Sequence, residues 1–226
     1  MVIGLWNMNY QAQNKDVIFS IMNILKKDGG FMNKCIFCNL DNSKLENTIL
    51  EETENFIVVP TLGSLTRGYV LIVAKNHIYN MLESGEKEEY FALIEKYRYM
   101  FKQIYGKNPI VFEHGTIKQD SENSSSSVVH AHTHIVNHNY KDEKSILNKH
   151  NFEEFNDKIN LNKNYLFYIS PNGKKYLTYN FKAISQLMRI LIAEDLDIKD
   201  KYNWKKDEFK ENIILTINDI KKKINN

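Results

Sequence analysis

Apolar positions along the chain change period several times, and each change marks an element. From Phe56 to Pro60 and again from Tyr69 to Ala74, β-branched and aromatic residues dominate. Gly63 and Gly68 bracket the connection, which predicts two strands joined by a hairpin-like loop. Glu86 to Tyr105 carries Tyr90, Phe91, Leu93, Ile94, Tyr97, Met100, Phe101 and Ile104 at helical spacing, with Gly106 as the stop. A short strand from Ile110 to Glu113 follows, then an exposed Ser-rich loop from Ser121 to Ser127, then a strand from Val128 to Asn137. Beyond about residue 140 the chain turns Lys- and Asn-rich, with a hairpin around Ser170-Pro171-Asn172-Gly173 and two helices near 182–195 and 207–223. At the other end, residues 17–25 read as a weak amphipathic helix closed by Asp28-Gly29-Gly30.

Composition narrows the class without naming an activity. Hydrophobic residues make up 42% and charged residues 26%, ordinary globular usage that points neither to disorder nor to a membrane protein. A formal charge of +2 gives no strong nucleic-acid signal, and Lys221-Lys222-Lys223 reads as a solvated helix end. Both cysteines sit in Cys35-Ile36-Phe37-Cys38, which rules out a framework of several disulfides and favours a cytoplasmic setting. No run of about 18 apolar residues and no signal-peptide pattern is present. An alternative start at Met32 is expected, because the codons for Gly29-Gly30-Phe31 can read as a ribosome-binding sequence before that methionine.

The densest chemistry is His130-Ala131-His132-Thr133-His134-Ile135-Val136, where histidines recur at every second position. On an extended strand three imidazoles so spaced leave one face, roughly 6–7 Å apart. Neutral imidazole is a nucleophile at neutral pH, and its protonated form offsets phosphate charge. A solvent-facing polar strand or a metal-binding tract is the alternative for such a row. Cys35-x-x-Cys38 lets two thiolates reach one Zn²⁺, which needs two further ligands; two small buried hydrophobes three apart explain the pair equally well.

Together with Ser127 three positions earlier, the alternating histidines resemble the signature of the histidine triad superfamily. Leu71-Ile72-Val73-Ala74-Lys75-Asn76-His77 resembles that superfamily's apolar strand ending in lysine and histidine. Phe112-Glu113-His114-Gly115 resembles the next strand of some extended bacterial members and of splicing-associated and lariat-linked relatives. The resemblance covers residues 34–138. It implies an α+β, histidine-triad-like fold with a mainly antiparallel β-sheet and flanking helices over 34–140, preceded by an extension over 1–33 and followed by a C-terminal α/β extension, with a hairpin and two helices, over 141–226. It also implies a homodimer, since many relatives pair.

Carried over residue by residue, the resemblance makes His132 the nucleophile on phosphorus, Ser127 a donor on the leaving-group side and His134 a contact to phosphate oxygens. Phe37 would wall a base pocket, Thr61 stands where many members use aspartate for the ribose hydroxyls, and Glu113, His114 and Gly115 would line the substrate. Cys35, Cys38, His77 and His130 would hold a structural Zn²⁺. The implied activity is hydrolysis of a phosphoanhydride or phosphoramidate bond in a nucleotide or small phosphate ester, through a phosphohistidine. Nucleotidyl transfer through the same intermediate is one alternative, and a zinc-stabilised nucleotide- or RNA-binding accessory module without turnover is another. Arg189 is expected on the exposed face of an amphipathic helix, with phosphate contact as the other reading.

Overall fold

A two-residue strand β1 (Glu51–Glu52) leads into β2 (Phe56–Pro60) and β3 (Tyr69–Ala74), the predicted hairpin, with Val58 opposite Ile72. The computed structural model describes residues 35–117, 128–156, 158–180 and 184–225. Met1–Asn39 and Leu40–Asn226 form two compact units. In the first, residues 36–39 make a turn in which the Asn39 backbone N–H and side-chain amide both donate to the Cys35 carbonyl, at 3.2 and 3.0 Å. The helix expected over 17–25 and the alternative start at Met32 lie outside the described residues.

In the second unit the sheet continues through β4 (Ile110–Gly115), β5 (His132–Val136), β6 (Glu153–Glu154), β7 (Tyr165–Ile169) and β8 (Lys175–Thr178). The eight strands run in the order β1-β2-β3-β5-β4-β7-β8-β6, and every neighbouring pair is antiparallel. The segment after residue 140 therefore adds three strands to the same sheet, with β7 seated directly against β4. Helices α1 (Lys87–Tyr105), α2 (Glu143–Lys149), α3 (Leu187–Asp195) and α4 (Lys210–Ile224) complete an α+β fold.

Register fixes what each face of the sheet does. Val58, Ile72, Thr133, Glu113, Phe167 and Leu177 are successive cross-strand partners and so share one face. Helix α1 covers it with Tyr90, Leu93, Ile94, Tyr97, Met100 and Phe101, the stripe read from the sequence, and stops at Gly106 with φ +76°. Each such side chain, fully buried, contributes about 1.5–3 kcal/mol. On the opposite face Val59, Leu71, His134, Phe112, Tyr168 and Tyr176 form the matching row.

The strand expected from Val128 begins only at His132. Ahead of it, Ala131 donates its N–H to the Ile78 carbonyl at 2.8 Å while its own carbonyl accepts from Ala74 at 3.2 Å. The first bond leaves the β3 ladder, while the second lies in the β3–β5 register, so pairing ends at Ala131 and His130 falls before the strand. No described helix is long and apolar enough to cross a membrane.

Candidate active site

His132 and His134 alternate on β5 and leave the face not covered by α1, with ring centroids 4.9 Å apart and both side chains partly exposed. His132 Nδ1 lies 2.6 Å from the His130 carbonyl oxygen. A carbonyl only accepts, so the proton sits on Nδ1 and the lone pair on Nε2. Burial lowers the His132 pKa and the hydrogen bond to the carbonyl pulls it back, leaving a neutral ring at pH 7.

His134 stacks on Phe112, centroids 4.4 Å apart and planes 12° from parallel, and its Nδ1 lies 2.9 Å from the Tyr69 hydroxyl. Burial holds its pKa well below the ordinary value, helped by the charges of His132, Arg189 and His114. Glu113 pairs with Thr133, so one step along each strand His114 and His132 stand opposite each other on this same face. Burial pushes the His114 pKa down to about 3, with His132 adding to the effect. Three neutral imidazoles and an aromatic plate thus share one surface.

Two residues expected at the substrate turn the other way. Side chains alternate along β4, so when His114 joins the histidine face, Glu113 and Gly115 must leave it. The Glu113 carboxylate is fully buried under α1, where it accepts the Met81 N–H at 2.6 Å and approaches the Tyr165 hydroxyl at 3.1 Å. Gly115 packs against the Tyr165 ring, and a Cβ there would overlap the ring atoms. Gly115→Ala is therefore expected to destabilise by about 1–3 kcal/mol through overpacking, read as a lower urea midpoint with an unchanged slope.

Thr61 follows the end of β2; its hydroxyl donates to the Leu62 carbonyl at 3.1 Å and its own carbonyl accepts from Ser64 at 2.8 Å. Phe37 lies half-buried in the turn of the first unit, and Ser127 lies outside the described residues.

The expected metal ligands are organised in two parts. In the second unit His77 Nδ1 and His130 Nδ1 stand 3.2 Å apart, close to the ~3.3 Å edge of a tetrahedron with Zn–N bonds of about 2.0–2.1 Å. His130 Nε2 is 2.7 Å from the Ala74 carbonyl, so Nε2 carries the proton and the Nδ1 lone pair faces His77. That is the outer hydrogen bond a metal-bound histidine makes. In the first unit, burial and the neighbouring Cys35 sulphur push the Cys38 thiol up to about 12.

Sequence reasoning missed two contributors. Tyr69 is fully buried and reaches His134; its position two residues before Leu71 on β3 puts it on the histidine face, but only once the β3–β5 register is known. Arg189 is not on an exposed helix face. It is 4% exposed, and its Nε and Nη2 donate to the Tyr202 and Gly63 carbonyls at 2.9 and 2.6 Å while Nη1 lies 3.4 Å from the Tyr69 hydroxyl.

An antiparallel sheet presenting alternating histidines on one strand is the arrangement that the resemblance to the histidine triad superfamily implies. The chain belongs to the family described as proteins similar to the CwfJ C-terminal region, whose profile matches residues 23–148, more than half of the chain. Protein hit of Bacillus subtilis (strain 168) is 26% identical over 104 residues, which span 45% of this chain and 69% of that protein. A Zn-bound histidine triad family protein from Mycobacterium smegmatis is 17% identical and superposes with a TM-score of 0.39, covering 50% of this chain and 80% of the other. A hypothetical histidine triad nucleotide-binding protein from Sulfolobus tokodaii strain7 is 16% identical with a TM-score of 0.39, covering 83% of this chain and 93% of the other.

Proposed function

We propose that the protein hydrolyses a phosphoanhydride or phosphoramidate bond in a nucleotide or related small phosphate ester, with His132 as nucleophile. The observation that carries this reading is the 2.6 Å contact from His132 Nδ1 to the His130 carbonyl, which puts the lone pair on Nε2 of a partly exposed side chain. Nε2 attacks phosphorus, an N–P bond forms, and the bond to the leaving oxygen or nitrogen breaks as that atom takes a proton. Water then attacks the same phosphorus, releasing the phosphate product and returning the lone pair to His132. Dividing one displacement into two lowers the barrier of each. Ser127 is assigned to the leaving-group side, His134 to the phosphate oxygens. The test is release of mononucleotide from dinucleoside polyphosphates and from adenosine phosphoramidate. No release from any of them would abandon hydrolysis in favour of a binding module.

We further propose that Cys35, Cys38, His77 and His130 hold one structural Zn²⁺. The support is the tetrahedral-edge spacing of the two histidine nitrogens and the His130 Nδ1 lone pair turned toward His77, together with the two cysteine thiols three residues apart in the first unit. A closed four-ligand site leaves no position for water, so the ion would tie segments together rather than act on substrate. Metal analysis of the purified protein is expected to give about one zinc per chain, falling to near zero in Cys35→Ser together with a lower thermal midpoint. Wild-type protein purified under reducing conditions without zinc would remove the proposal.

A further inference from the structure

We propose that Arg189, carried on α3 in the C-terminal segment, is a positioning residue for the triad. Acting through Tyr69, it fixes His134 with its proton on Nε2, as a hydrogen-bond donor to a phosphate oxygen. The idea rests on the reading of this face as a phosphate site, but the measurement that closes it does not require turnover.

The argument is one of donors and acceptors. A guanidinium has five N–H donors and no acceptor, so whatever Arg189 meets must accept from it. Two of its partners are backbone carbonyls, of Tyr202 and Gly63, and these lock the fork in place. Gly63 has φ +68° and no side chain, and a Cβ there would overlap Arg189 and Trp204, so the close approach depends on glycine. The third partner is the Tyr69 hydroxyl, 3.4 Å from Nη1, whose ring lies 5.7 Å from the Arg189 Cζ.

Tyr69 is fully buried, and its hydroxyl has a single proton. Its oxygen accepts from Arg189, and the proton is left for His134 Nδ1 at 2.9 Å. Were Nδ1 protonated instead, two donors would converge on one oxygen and the hydroxyl proton would be stranded in the interior. Nδ1 of His134 therefore carries the lone pair and Nε2 the proton. His132 has the reverse arrangement, with its proton on Nδ1 against the His130 carbonyl. Adjacent imidazoles thus hold complementary tautomers, one an electron-pair donor for phosphorus and the other a proton donor for the charge that develops on oxygen. The segment after residue 140 is in this way coupled to the chemistry without touching substrate.

The test is long-range proton–nitrogen NMR on the full chain with ¹⁵N-labelled histidine, with His134 assigned by its loss in His134→Asn. Wild type is expected to show protonated Nε2 and a hydrogen-bonded, unprotonated Nδ1. Tyr69→Phe, which keeps both backbone bonds of Arg189, should shift the Nδ1 resonance to that of an unbonded acceptor. Arg189→Gln, by releasing Tyr69 to accept, should raise the fraction protonated on Nδ1. Turnover of either variant should fall about tenfold or more in kcat, with KM changed far less. Should Arg189→Gln fail to fold, Tyr69→Phe alone decides. A wild-type His134 protonated on Nδ1, or an unaltered nitrogen pattern in folded Tyr69→Phe, overturns the proposal. The expected nitrogen pattern in a protein without turnover supports the relay and counts against hydrolysis alone.

Discussion

Replacing His132 with asparagine is expected to lower turnover by about 10⁴-fold or more while leaving the fold in place. The size follows from the division of labour at the site. On the proposed mechanism His134 and the backbone would still meet the phosphate and binding would survive, but no lone pair would be left to form the N–P bond, and water would have to attack directly. Stability changes little, because the side chain is partly exposed and an asparagine amide can still donate to the His130 carbonyl. Two measurements read the result: the steady-state rate on adenosine phosphoramidate, and the intact mass of enzyme quenched during turnover, which should carry a nucleotidyl adduct in wild type only. A variant that keeps more than a tenth of the rate would remove His132 from the role of nucleophile.

The parts of this site legible in the sequence are those written in a local period. Two apolar runs separated by glycines became β2 and β3 within the predicted bounds, and the helical stripe from Tyr90 to Ile104 became α1. Both patterns are decided by neighbours a few residues away, which sequence displays directly. His130 is where that logic failed. Alternation alone places it on the strand with His132 and His134, but the Ala131 N–H turns to the Ile78 carbonyl, more than fifty residues earlier, and the ladder stops there.

Glu113 and Gly115 show a failure of another kind. The resemblance of Phe112-Glu113-His114-Gly115 to a superfamily strand puts both at the substrate, yet the same period-two rule that aligns the histidines turns them to the opposite face, Glu113 toward Met81 and Gly115 against Tyr165. Had that rule been applied to β4 as strictly as to β5, His114 alone would have been kept. Tyr69 and Arg189 were beyond reach for a simpler reason. Their meeting joins positions 120 apart, through a register and a helix docking that no short window contains.

The burial of Glu113 is expected to leave a mark on stability as large as any in the molecule. Loss of solvation raises its carboxyl pKa to about 8, against the pull of the Met81 N–H and the Tyr165 hydroxyl, so the folded protein keeps this proton at neutral pH. The neutral acid can be fully bonded: it accepts from Met81 and donates to the Tyr165 oxygen, whose own proton then turns toward Asn80 Oδ1 at 3.5 Å. Unfolding returns the group to its ordinary value of 4.5. Between about pH 4.5 and 8 the folded state therefore holds one proton more than the unfolded state. Its contribution is whole at the acid end of that window and is lost as the pH rises, at about 1.4 kcal/mol per unit. Histidines held neutral by burial, such as His114, His134 and His138, have lowered pKa values and act with the opposite sign, gaining stability as pH climbs toward 6.5. The wild-type curve alone therefore mixes the two, and the difference between wild type and Glu113→Gln separates them. Glutamine keeps the shape without titrating, so from pH 5 to pH 8 wild type should lose about 4 kcal/mol relative to the variant, measured by urea unfolding at each pH. A difference that stays flat across that range would mean that the carboxylate is ionised in the folded state, with the hydrogen bonds from Met81 and Tyr165 outweighing burial.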